Sequence, residues 1–265
     1  MKLETQCLHA GYSPESTTNA CAVPLYKTSS FVFNNTEHAA NLFGLRELGN
    51  IYTRLMNPTT DVLEQRVTAM EGGAAGLGVA SGTSAVFYSI INLAQEGDEI
   101  ISANNLYGGT YTQFNDILPK FGIKVKFVDP NDPANFAAAI TDKTKAIFCE
   151  SVSNPGLDVA DIKAIANVAD DHGIPLIVDS TFSTPYLTNP IEHGASIVIH
   201  SLTKWMGGHG NGIGGIVVDS GTFNWKNGNF PLYDNPDNSY HGLRWGHDLP
   251  EPLAPVAYIL RMRTV

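Results

Sequence analysis

Most of the chain alternates between short apolar runs and helical patterns. Apolar runs fall at 76–80, 99–102, 124–128, 145–150, 175–179, 196–200 and 214–218. The clearest helical period spans 160–172, where Ile162, Ile165, Ala166 and Ala169 stand at i, i+3, i+4 and i+7. Gly173 and Pro175 then stop that helix. A second amphipathic helix is predicted over 61–71, with Val62, Leu63, Val67 and Met70 on one side and Gly72-Gly73 ending it. Apolar strands alternating with helices predict an α/β fold with a mostly parallel sheet and helices on both faces. In such sheets a ligand sits beyond the carboxyl ends of the strands, so that edge is where chemistry is expected.

Three stretches lie outside the alternation. Residues 1–60 keep no steady period and read as an extended arm with short helices, of the kind that packs on a neighbouring subunit in an oligomer. Residues 221–252 are rich in Asn, Gly, Pro and Asp with interleaved aromatics (Phe223, Trp225, Phe230, Tyr233, Tyr240, Trp245). An insert of that length is expected to be functional or part of an interface. Residues 254–265 read as the start of a helix that nothing caps, as if the sequence ended before the protein does. The expected organisation is therefore an arm (1–60), a large domain (61–253) carrying the insert, and the start of a helix linking to a C-terminal domain.

Composition narrows the function classes. Hydrophobic residues make up 43% of the chain and charged residues 16%, the balance of a globular protein. A formal net charge of -10 leaves no basic stripe for nucleic acid. No apolar run approaches the roughly 20 residues needed to span a bilayer, and the polar start Met1-Lys2-Leu3-Glu4-Thr5-Gln6 does not read as a signal peptide. Cys7, Cys21 and Cys149 fit neither a disulfide framework nor a zinc site. A soluble protein of the reducing cytoplasm is the expectation.

Three strand ends carry unusual polar residues. One run ends in Asp179-Ser180-Thr181, another in Ser201-Leu202-Thr203-Lys204, and a third in Ser81-Gly82-Thr83 directly before a helix. A pyridoxal phosphate site needs a lysine amine to form an imine, and a carboxylate against the pyridine nitrogen. It also needs helix N-terminal amides with hydroxyls around a phosphate, and a flat partner for the ring. Lys204, Asp179, the Ser81-Gly82-Thr83 turn with Ser201 and Thr203, and Tyr107 could fill these roles in turn. Each has a bland alternative: a solvated loop lysine, an N-cap aspartate, a plain turn and cap, a loop aromatic. The case rests on their order along successive strand ends.

Two other patterns lead elsewhere. Gly210, Gly212 and Gly215 formally satisfy G-x-G-x-x-G, but the run leads into an apolar strand instead of a helix, which excludes a dinucleotide site. A flexible loop passing close to Lys204 is expected there. His200, His209 and His241 lack partners at metal-ligand spacing, so no metal is expected.

Several longer motifs resemble the Cys/Met-metabolism family of pyridoxal-phosphate enzymes, which have the aspartate aminotransferase-like fold (fold type I). They are Tyr52-Thr53-Arg54-Leu55-Met56-Asn57-Pro58-Thr59, Ala80-Ser81-Gly82-Thr83-Ser84-Ala85, Asn154-Pro155, Val178-Asp179-Ser180-Thr181-Phe182 and Ser201-Leu202-Thr203-Lys204. The resemblance runs from Leu8 to the last residue. It implies that Lys204 carries pyridoxal 5′-phosphate as a Schiff base, that Asp179 pairs with the pyridine nitrogen, and that Tyr107 stacks on the ring and assists proton transfer. Gly82, Thr83, Ser201 and Thr203 would hold the phosphate, Asn154 would bond the ring's 3′-oxygen, and Thr181 would lie close to the ring. Tyr52 and Arg54 would reach the phosphate of an adjacent subunit, which implies a homotetramer built as a dimer of dimers.

Within the family, the insert from Asn229-Phe230-Pro231 to Tyr240-His241-Gly242 resembles that of O-acetylhomoserine sulfhydrylases. The reaction so implied converts O-acetyl-L-homoserine and sulfide to L-homocysteine and acetate by γ-replacement. Cystathionine γ-synthase and methionine γ-lyase activities are the nearest rivals, and a module needing a complementary chain is the rival of another class. The family's C-terminal domain carries the arginine for the substrate carboxylate. Arg261 and Arg263 are not expected to take that role, and a free chain of this length is expected to be inactive and prone to associate.

Overall fold

The computed structural model describes all residues, 1–265. In chain order the elements are α1 (Leu3–His9), α2 (Thr36–Phe43), α3 (Pro58–Glu71), β1 (Ala75–Val79), α4 (Gly82–Ile91), β2 (Glu99–Ala103), α5 (Gly108–Thr112), β3 (Lys124–Val128), α6 (Pro133–Ala139) and β4 (Thr144–Glu150). They continue with α7 (Ile162–Asp171), β5 (Leu176–Asp179), α8 (Thr184–Leu187), β6 (Ile197–His200), β7 (Gly215–Asp219), α9 (Pro231–Asp234) and α10 (Ala257–Thr264).

The seven strands form one sheet in the order β1-β7-β6-β5-β4-β2-β3. From β6 through β3 all neighbours are parallel, while β7 runs antiparallel between β1 and β6. Every residue of β2, β4, β6 and β7 is buried, which requires cover on both faces. These apolar runs suit that position because β-branched and aromatic side chains pack well on a pleated surface covered on both sides.

Helix α7 shows how the periodicity works out. Asp161 caps it by accepting from Ala164 N at 3.0 Å, and Ile162, Ile165, Ala166 and Ala169 are all buried. In α3, Val62 and Val67 turn inward as expected, but Leu63 is 40% exposed. Glu64 takes the inward place, because Arg263 of α10 meets it at 2.5 Å. Arg263 also donates to the carbonyls of Leu55 and Gly76, so α10 ties the arm and β1 together. The arm holds α1, which packs on α3, and α2. Between them Leu25 and Val32 stand exposed.

The insert at 221–252 departs from expectation. Trp225, Phe230, Tyr233 and Trp245 are buried members of the main core. Trp225 stacks between Tyr233 and Tyr258, at 4.5 and 5.1 Å between ring centroids. Asn92, at the end of α4, donates to Tyr233 Oη and to the Tyr258 carbonyl. Lys145, at the start of β4, reaches the Asn229 carbonyl at 2.7 Å, and Asn227 reaches that of Gly173. These anchors lie at the amino ends of the parallel strands, so the insert completes the core at the edge opposite the expected site. Its aromatics are large apolar surfaces filling that end of the core. No helix is long and apolar enough to cross a membrane.

Candidate functional site

The carboxyl ends of β2, β4, β5 and β6 share one edge. Because β7 is antiparallel to both neighbours, the end of β1 joins them there. A cavity of about 590 Å³ opens at this edge, lined by Ser81, Gly82, Thr83, Tyr107, Glu150, Asn154, Asp179, Thr181, Ser201, Thr203 and Lys204. Nine of the residues expected at the site, scattered over more than a hundred positions, therefore face one space: Gly82, Thr83, Tyr107, Asn154, Asp179, Thr181, Ser201, Thr203 and Lys204. Tyr52 and Arg54 do not line it. Tyr52 is 45% exposed, and Arg54 borders a neighbouring cavity of about 360 Å³.

At the end of β1 the chain turns into α4. Ser81 caps that helix, its Oγ accepting from Ser84 N at 3.0 Å and its carbonyl from Ala85 N. The amides of Gly82 and Thr83 precede the first intrahelical bond and point out of the helix N-terminus. Space there is set by close approach. A Cβ on Gly82 would lie 2.5 Å from Ser201 Cβ, and one on Gly215 would collide with the Ser81 carbonyl. The glycines let the α4 turn, the β6 end and the start of β7 meet around a small concavity with two free amides, suited to an anion. Ser201 borders it. Thr203 also faces the cavity, but its hydroxyl is engaged on Gly214, donating to the carbonyl at 3.2 Å and accepting from the amide at 3.1 Å. In this structure Thr203 pins the glycine loop that passes beside Lys204.

Asp179 ends β5. Thr181 donates to its Oδ1 twice, from the backbone amide at 3.0 Å and from the hydroxyl at 2.6 Å. The same hydroxyl accepts from Ser201 N at 2.8 Å, joining the turns after β5 and β6. Both bonds fall on Oδ1, which leaves Oδ2 for the cavity that Asp179 lines. Burial holds this carboxyl above the usual aspartate range, opposed by the Thr181 hydrogen bonds and the charge of His200. Behind it, Ser151, Ser180 and Ser183 bond one another in a buried cluster that locks the ends of β4 and β5 together. His200 meets Glu71 at 2.5 Å, both side chains fully buried.

Lys204 is exposed to the cavity in the turn after β6. Tyr107 immediately precedes α5 and is 47% exposed. Glu150 is a residue the sequence reading missed. It ends β4 as register partner of Asp179, is 7% exposed and lines the cavity. Its two oxygens accept from Tyr107 N at 2.7 Å and Asn154 N at 3.0 Å. Burial pushes its carboxyl up to about 7, against those two hydrogen bonds. The strand-end rule that singled out Asp179 also covers Glu150, an acid directly after the run Ala146-Ile147-Phe148-Cys149. Cys149 itself is buried, with its thiol pushed up to about 12 by that burial.

The model of the family described as Cys/Met metabolism PLP-dependent enzyme matches residues 4–236. The chain is 54% identical to the O-acetyl-L-homoserine sulfhydrylase of Leptospira meyeri, over 99% of this chain and 60% of that protein. It is 49% identical to the homocysteine synthase of Schizosaccharomyces pombe, over 98% and 61%. Among solved structures, a Campylobacter jejuni protein described as an O-acetylhomoserine (thiol)-lyase, with N′-pyridoxyl-lysine-5′-monophosphate, matches with a TM-score of 0.91 at 39% identity. That match covers 100% of this chain and 69% of the other. The chain spans about 60% of the length of the curated relatives it matches.

Proposed function

The chain belongs to the Cys/Met-metabolism family of pyridoxal-phosphate-dependent enzymes, and from that premise we propose that its strand-end cavity binds pyridoxal 5′-phosphate and serves a γ-replacement enzyme. The reaction proposed is O-acetyl-L-homoserine plus sulfide giving L-homocysteine plus acetate. The observation that carries this reading is that a lysine, an open carboxylate oxygen and two free helix N-terminal amides face one cavity.

The residues present fit the cofactor. The concavity that a Cβ on Gly82 would fill suits its phosphate, held by the amides of Gly82 and Thr83 and the hydroxyl of Ser201. Asp179 would accept the ring N–H at Oδ2, Asn154 would bond the 3′-oxygen, and Tyr107 would cover the ring face. Thr181 supports Asp179 from behind. When bound, the cofactor supplies an electron sink for negative charge developing on substrate carbons. Lys204 would hold the cofactor at Nζ and, once released by the substrate amine, move protons between substrate carbons from that same atom. Tyr107 would assist departure of acetate.

We assign Tyr52 and Arg54 to the phosphate of a neighbouring subunit in a homotetramer. Their exposure outside their own cavity supports this, as do the exposed Leu25 and Val32 of the arm. Three free cysteines accord with a cytoplasmic setting.

The test is a visible spectrum of the protein with pyridoxal phosphate, compared with Lys204→Ala. A long-wavelength band in the parent that the variant lacks is expected, and equal spectra would refute the lysine's role. Supplying O-acetylhomoserine with sulfide should yield homocysteine. Cystathionine formed from cysteine, or methanethiol from methionine, as the faster reaction would replace the proposed activity by a synthase or a lyase.

A further inference from the structure

Glu150 is an odd residue to bury here. No lysine or arginine pairs with it, and its register neighbour Asp179 is a second carboxylate on the same face of the sheet. Burying two carboxyls side by side without a cation is costly. Its two oxygens each receive one backbone amide, and the two amides come from different loops. Tyr107 belongs to the loop after β2, and Asn154 to the loop after β4 itself. A carboxylate is acceptor-only at both ends. A glutamine in its place would turn an NH₂ toward one of the two N–H donors.

We propose that Glu150 is a positioning residue for the cofactor ring, its carboxylate setting the places of Tyr107 and Asn154 together. This rests on the pyridoxal phosphate reading above, in which those two residues contact the ring face and the 3′-oxygen. Neither contact is made by Glu150 itself, so its effect passes through the two loops. The Tyr107 ring lies over Gly109, where a Cβ would meet it at 2.6 Å. The ring's place therefore follows the backbone at 107–109, which Glu150 anchors.

The test is a double-variant cycle on the full protein with bound pyridoxal phosphate, comparing the parent, E150Q, Y107A and E150Q/Y107A. Two quantities are read: the dissociation constant of the cofactor and the circular dichroism induced in its visible band. At pH 8.5, where the parent carboxyl is ionised, E150Q is expected to weaken binding about tenfold, the size of one charge-assisted hydrogen bond. It should also change the induced dichroism per bound cofactor while keeping the Lys204-dependent band. In the Y107A background the same change should weaken binding several-fold less, because the ring it positions is gone. Hydrogen exchange in the cofactor-free protein should quicken at the Tyr107 and Asn154 amides and stay unchanged at Ile147 in the middle of β4.

Additive effects within a factor of two, with unchanged dichroism, would reduce Glu150 to a structural acid and overturn the proposal. Should E150Q fail to fold, E150D retains the charge but reaches one loop less well. Parent-like affinity and dichroism in E150D would equally overturn it. A parent with no Lys204-dependent band sinks both readings together, whereas a parent with the band and additive variants sinks this one alone.

Discussion

Replacing Thr181 by valine isolates the support given to Asp179. The two side chains have nearly the same shape, so what is lost is the hydroxyl, and with it two hydrogen bonds. One is the 2.6 Å bond to Asp179 Oδ1, and the other is the acceptor for Ser201 N at 2.8 Å. A short O–H···O bond to a carboxylate contributes about 1.5–3 kcal/mol, and it acts on the ionised form of Asp179 alone. The backbone bond from Thr181 N remains. The variant therefore makes the Asp179 carboxylate, already raised by burial, still easier to protonate. A ring nitrogen that needs an ionised partner should bind more weakly by roughly 10- to 100-fold. The sign in pH follows: the deficit relative to the parent grows as pH falls and shrinks on the alkaline side, where Asp179 is ionised in both proteins. Equilibrium titration with pyridoxal phosphate at pH 6, 7 and 8, with Thr181→Ser as the control that keeps the hydroxyl, measures this. Thr181→Val binding within twofold of the parent at pH 6 would refute the reasoning.

Two further outcomes concern stability. Asp219 is buried at the end of β7, with Oδ1 bonded to Gly221 N and Oδ2 unpartnered, and burial raises its carboxyl from 3.8 to about 7. A raised acid contributes stability that is complete below its unfolded value and lost as pH rises through the folded one, here between about 4 and 7. Asp219→Asn should therefore gain on the parent by about 2–3 kcal/mol between pH 5 and 8, read from urea unfolding midpoints. A constant difference across that range would show that Asp219 is not the group responsible. His200→Leu should cost about 3–5 kcal/mol, since it strands the Glu71 carboxyl in the core, and Glu71→Met added to it should recover most of the loss. No recovery in the double variant would mean that packing, not the stranded charge, carries the penalty.

Much of the frame was legible in the sequence because burial on both sheet faces leaves continuous apolar runs. The seven runs match β1 to β7, and the four apolar positions of α7 all turn inward. The site was legible for a related reason. In a parallel sheet the residue after each apolar run must stand at the ligand edge, which brought Lys204, Asp179 and the Ser81-Gly82-Thr83 turn together. What escaped depends on long-range partners. Leu63 lost its inward place to Glu64 because of Arg263, two hundred residues further on by rough count, and no local period encodes that pairing. The insert's share in the core escaped because its polar turns surround a few buried aromatics. The engagement of Thr203 with Gly214, instead of the free cavity, likewise depends on where the glycine loop folds back.

The pairing of β1 with β7 also bears on how the protein comes to be made. These strands are separated by about 140 residues of chain, yet Ala75–Val79 pair with Gly215–Asp219 along their whole length. Gly215 lies against the Ser81 carbonyl, so the concavity at the start of α4 has its wall only once β7 has docked. Contacts of such long sequence separation form late, because the loop between them must be closed before they reward it. As the chain leaves the ribosome, Asp179 and Lys204 are synthesised before the strand that supplies this wall. The anion-binding concavity is thus completed by the last strand of the sheet to be synthesised.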